Sequence, residues 1–136
     1  MPSSRARVDN NLFYKENYSK IFSLGNMGRM WGKIHRQMEK PFNTGHSNAI
    51  LEIGAGSGEH LPFVKDDFAL YIQSDIDISN LPKAAGLVAV AKEDATKLSY
   101  SDNSFERTVV TCVLAHLYEP ELAISELKRV TSGGGI

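Results

Sequence analysis

The stretch Glu52-Ile53-Gly54-Ala55-Gly56-Ser57-Gly58 places an acid before alternating glycines. Glycine admits positive φ and lets another molecule approach the backbone where a Cβ would clash, so this loop suits a ligand. Position 59 is Glu59, which excludes a dinucleotide fingerprint needing glycine there and a phosphate-binding P-loop needing glycine-lysine. In an open α/β sheet, ligands sit beyond the carboxyl ends of the strands. Asp75, at the end of a second apolar run, can accept both hydroxyls of a ribose, with Asp77 as the register alternative. Asp94, after a third run, can accept from an exocyclic amine, and segment 111–118 is the fourth such place. His35, His46 and His60 show no metal-ligand spacing with Cys112, and no metal is expected.

These residues need strands to carry them. Residues 49–54 read as the first strand, running out into the glycine loop, and 70–75 as the second. The crossover between them is short, with Pro62 in a first helical turn. Residues 87–90 are a third, wholly apolar strand, and after the turn at Asp102-Asn103-Ser104 residues 108–114 form a fourth. A helix is expected between the second and third strands. Another opens at Pro120, carries Leu122, Ala123, Leu127 and Val130 inward and closes with Lys128 and Arg129. Upstream, a helix from Asn10 or Asn11 carries Tyr14, Tyr18, Ile21 and Phe22 and stops at Gly25; a second puts Met27, Met30, Trp31, Ile34 and Met38 on one face. The order argues for a parallel sheet covered on both faces.

Composition bounds the partners. In 136 residues, fifteen basic and sixteen acidic side chains leave a net charge of −1, so no whole-molecule field draws the chain onto nucleic acid or anionic membrane. A lone cysteine, Cys112, fits a reducing cytoplasm; it reads as a small buried hydrophobe. The N-terminus lacks the apolar run of a signal peptide, and no stretch approaches membrane-spanning length. At the other end Gly133-Gly134-Gly135-Ile136 reads as a turn into another strand, so the domain is expected to be cut short.

Together, Glu52 to Gly58, Asp75-Ile76-Asp77, Glu93 to Leu98, Asn103 to Glu106, Val113 to Leu117 and Glu126 to Val130 resemble class I S-adenosylmethionine-dependent methyltransferases, in order from about 49 to 136. The resemblance implies a Rossmann-like α/β fold, mainly parallel and with helices on both faces, the family's C-terminal strands being missing. It divides the chain into a helical lid or cover, 1–48, and a partial cofactor-binding domain, 49–136. It implies S-adenosylmethionine as cofactor, with Glu52 organising the loop and the methionine end, Gly54, Ala55, Gly56 and Gly58 lying under it, Asp75 on the ribose, Asp94 and the Ala95 amide on adenine, and Ile76 as one wall. Glu106 stands where the family usually has aspartate and Gly133 where it often has proline. His116, just beyond the fourth strand, is the candidate general base, since imidazole titrates in the physiological range. The expected reaction is methyl transfer to a small-molecule acceptor, without nucleic acid or membrane. The alternative is an inactive or partner-dependent cofactor-binding module, the unpaired fourth strand favouring a partner or self-association.

Overall fold

The computed structural model describes residues 25–42, 45–111 and 113–133. The expected helix through Tyr14 and Tyr18, and Cys112, lie outside them. Gly25, expected as a stop, is the first residue of helix α1 (Gly25–Glu39). Four strands follow: β1 (His46–Ile53), β2 (Asp67–Asp75), β3 (Val88–Lys92) and β4 (Arg107–Val110), then helix α2 (Pro120–Val130). All pairings are parallel and the sheet order is β3-β2-β1-β4.

The sheet is covered on both faces, as the apolar strands require. On one face Leu51 and Ile53 bury against Ala95, Leu98, Phe105 and, from α2, Ala123 and Val130. Fully burying each such aliphatic side chain contributes about 1.5–3 kcal/mol. On the other face Ile50, Tyr71 and Val109 take Met38 of α1 with Leu61 and Val64. Arg129 of α2 anchors the segment before β4, donating to Asp102, Glu126 and the carbonyls of Leu98 and Tyr100.

Several boundaries differ from expectation for identifiable reasons. β1 and β2 start earlier because His46 pairs with Asp67; their first residues alternate exposed and covered, which a continuous apolar run does not reveal. β3 runs two residues past its apolar stretch, pairing Lys92 with Asp75. β4 starts one residue early, on the buried Arg107, and closes at Val110; Leu114–His116 form a 3-10 turn. Among the described residues no helix joins β2 to β3. Asp77 accepts from the Ser79 amide, Leu81 bonds back to Ile78, and Gly86 turns at φ 58, so turn chemistry takes the whole crossover. Pro62 does sit in the short turn Leu61–Phe63. In α2, Leu122 is 44% exposed rather than inward. In α1, Met30 and Ile34 face out at 48% and 38% exposure, while His35 and Glu39 face in at 6% and 3%. No helix among the described residues is long and apolar enough to cross a membrane.

Candidate functional site

At the carboxyl end of β1 the chain turns on glycine alone. Gly54, Gly56 and Gly58 have φ of 73°, 61° and 85°, a region that costs other L-residues about 1–2 kcal/mol each. The loop is fastened by backbone bonds: Ala55 N–H donates to Ser74 O at 2.9 Å and Gly58 N–H to Ala55 O at 2.8 Å. Gly56 N–H donates to Asp75 Oδ2 at 2.9 Å, so the acid closing β2 holds the loop that follows β1. The Ser57 hydroxyl donates to Glu59.

The structure brings these acids and the loop to the ends of β1, β2 and β3. Asp75 Oδ1 also accepts from the Asp77 amide at 3.1 Å, so Asp77 joins the turn around Asp75. Ile76 between them is 37% exposed. Beyond β3, Asp94 Oδ1 accepts the Thr96 amide at 2.8 Å and hydroxyl at 2.6 Å. Ala95 is 8% exposed, its side chain in the core. His116 lies exposed on the turn after β4.

Glu52 is the least solvated of the acids, at 1% exposure. Tyr71 donates its hydroxyl to Glu52 Oε2 at 2.8 Å, and Oε1 is buried with no hydrogen-bond partner among the described residues. Burial lifts the carboxyl from 4.5 to about 7, against the lowering effect of the Tyr71 bond. Because the folded value lies above the unfolded one, ionisation is penalised on folding. The penalty is absent below about pH 4.5, grows through pH 7, and reaches about 3 kcal/mol above it. Glu52→Gln is therefore expected to stabilise the ligand-free protein by about 1–2 kcal/mol at about pH 8, after allowing for a buried amide, and to lose that gain toward acid. Denaturation of both proteins across pH checks this; a pH-independent difference would rule Glu52 out as the titrating group.

Beneath α1 lies a layer that sequence reasoning missed. His60 donates from Nε2 to Glu39 Oε1 at 2.7 Å, and Arg107 donates to the same oxygen. The Nδ1 atoms of His60 and His35 share a hydrogen bond of 2.8 Å. Arg107 also stands 4.0 Å from Asp66 Oδ2, and Phe63 stacks on His35 with centroids 5.2 Å apart. His35 is held below its ordinary value by burial and by His60. Burial alone would raise Glu39, but bonds from His60 and Arg107 outweigh it and the carboxyl is held low. Scattered in sequence, His35 and His60 thus meet as a link between α1 and the segment leaving the glycine loop. The only sequence signal was a histidine and a glutamate four apart on α1, at Met38's side of the helix.

The family described as methyltransferase domain matches residues 51–136. Demethylmenaquinone methyltransferase of Streptomyces avermitilis is 29% identical over 119 residues, covering 85% of this chain and 49% of that protein. The chain thus spans about half the length of that curated relative. In fold it is similar to the protein solved in complex with the Haloferax volcanii Trm112 methyltransferase activator, with a TM-score of 0.73 and 15% identity over 90% of this chain and 56% of that one. It is also similar to the N-methyltransferase NodS of Bradyrhizobium japonicum, solved with S-adenosyl-L-homocysteine, with a TM-score of 0.68 and 18% identity over 89% of this chain and 69% of that one. The match from β1 to the last residue, on a parallel sheet with its glycine turn after the first strand, establishes that the chain belongs to the class I S-adenosylmethionine-dependent methyltransferases.

Proposed function

We propose that this chain binds S-adenosylmethionine over loop 54–58 and serves methyl transfer to a small-molecule acceptor. The observation that carries the reading is a loop whose glycines all sit at positive φ, preceded by a buried acid with an unpartnered oxygen. The residues fit the cofactor. Glu52 Oε1 would take its ammonium group, and the backbone of Gly54, Ala55, Gly56 and Gly58 would lie beneath it. Each Asp75 oxygen accepts one backbone N–H and so keeps lone-pair capacity for a ribose hydroxyl. Asp94 Oδ2 and the Ala95 backbone would meet the adenine edge, with Ile76 against the ring. When bound, the cofactor supplies a sulfonium-activated methyl carbon open to in-line displacement.

The protein's own work is alignment and exclusion of water. Residues 1–48, through α1, act as the cover and 49–136 as the cofactor domain. His116 would receive the proton of the acceptor nucleophile. The balanced charge supports a small acceptor over a polyanion, and a relative named for methylating demethylmenaquinone points the same way.

Calorimetric titration tests this: S-adenosylmethionine is expected to bind and NADH not to. Asp75→Ala should weaken binding about 10–100-fold, as for losing hydrogen bonds to a charged acceptor, with circular dichroism confirming the fold. NADH binding alone would defeat the methyltransferase reading, and unchanged affinity in the variant would remove Asp75 from the ribose. A second reading, a module that turns over only with a partner completing its sheet, draws on β4 being an edge strand of the described sheet. Methyl transfer by the isolated chain to any acceptor would dispose of it.

A further inference from the structure

We propose that Tyr71 is a positioning residue for the cofactor's ammonium group, holding the Glu52 carboxylate ionised and leaving Oε1 as its open acceptor. This rests on the cofactor reading above. Ile50 pairs with Tyr71 and Glu52 with Gln73, so Tyr71 is the diagonal cross-strand neighbour of Glu52 on the same sheet face. That diagonal is about 7–8 Å between backbones, within reach of an aromatic side chain. Tyr71 spans it with a 2.8 Å hydrogen bond while itself wholly buried.

The remaining surroundings give Glu52 little help. Val109 of β4 lies beside it in register and is apolar. His60, from the segment after the loop, favours the ionised form, while Glu59 and Asp75 oppose it. From the far side, Glu39 and Arg107 act on Tyr71 with opposite signs. Tyr71 is therefore the hydrogen-bond donor that stands against desolvation of this carboxylate. A phenylalanine would fill the same volume and leave both carboxylate oxygens without a donor. A carboxylate buried that way protonates more readily and then cannot pair with a cation.

The test is S-adenosylmethionine titration of wild type, Tyr71→Phe, Glu52→Gln and the double variant across pH, with denaturation of each ligand-free protein. In wild type, affinity should fall as Glu52 protonates, by about tenfold per pH unit in the acid limb. Tyr71→Phe should move that limb up by about one unit, weakening binding about fivefold near neutrality, about tenfold in the acid limb, and by less than about threefold at about pH 9. In the Glu52→Gln background the tyrosine change should leave no pH-dependent effect. A purely packing role would lower affinity equally at every pH, and that result, or no loss at all, would overturn the proposal while leaving cofactor binding intact. Should wild type bind no S-adenosylmethionine, the cofactor reading falls separately. The ligand-free arm then decides on Tyr71, because an unchanged pH dependence of stability in Tyr71→Phe would refute it.

Discussion

Glu39→Ala is expected to lower the free energy of unfolding by about 3–5 kcal/mol, the usual cost of removing one partner from a buried ion pair. Glu39 is 3% exposed and its Oε1 accepts from both Arg107 and His60. Without it the Arg107 guanidinium, itself 4% exposed, still has Asp66 Oδ2 at 4.0 Å. The cost is mainly that of two buried donors, the Arg107 guanidinium and His60 Nε2, losing the oxygen they share, so a second change identifies it. Glu39→Leu with Arg107→Met should recover part of the loss, because apolar replacement of a buried pair is often neutral, while His60 and Asp66 each still lose a partner. The pH dependence has a defined sign. Glu39 is held below 4.5 in the folded protein, so its contribution is present above that value and is lost as pH falls through the folded one. Urea denaturation reads both effects, and a cost under about 1 kcal/mol, typical of a solvated pair, would contradict the burial described.

Gly54→Ala comes next in size, at about 3 kcal/mol, with loss of cofactor binding. A Cβ there would lie 1.8 Å from Val113 Cγ2, and φ is 73°. The backbone conformation costs a non-glycine residue about 1–2 kcal/mol and overpacking about 1–3 kcal/mol. The two separate experimentally. Val113→Ala in the Gly54→Ala background removes the clash but not the conformational cost, so it should restore part of the stability, measured by denaturation. Full restoration would mean the backbone at 54 is relaxed; no restoration would mean Val113 does not crowd it.

The glycine loop and the strand ends were legible because their signals are local. Glycine at 54, 56 and 58 has a backbone reason written into each residue, and Asp75 closes its strand. The cover was harder. Periodicity counts apolar residues, and Met30 and Ile34 drew the buried face of α1 toward a side that solvent sees. The residues that do turn inward, His35 and Glu39, find their partners far away in sequence, His60 for both and Arg107 for Glu39 from 68 positions away, and no local pattern on α1 announces partners at that distance. Tyr71 hid for the opposite reason: an aromatic in a strand already has an ordinary explanation as core, and its hydroxyl's destination becomes visible only with the register of β1 against β2.

The charged underside of α1 sets how that helix responds to temperature. Lifting it from the sheet would hydrate His35, Glu39 and Arg107 along with Met38 and Trp31. Apolar surface raises heat capacity on exposure, by about 0.45 cal/K/mol per Å², and polar surface lowers it by about 0.26. The two contributions oppose each other here, so for each Å² exposed the enthalpy of opening changes less with temperature than that of melting the apolar Leu51 and Ile53 core. Cooling weakens apolar burial, so a fall in temperature takes more of its stabilisation from the sheet's apolar core than from the charged grip of the cover.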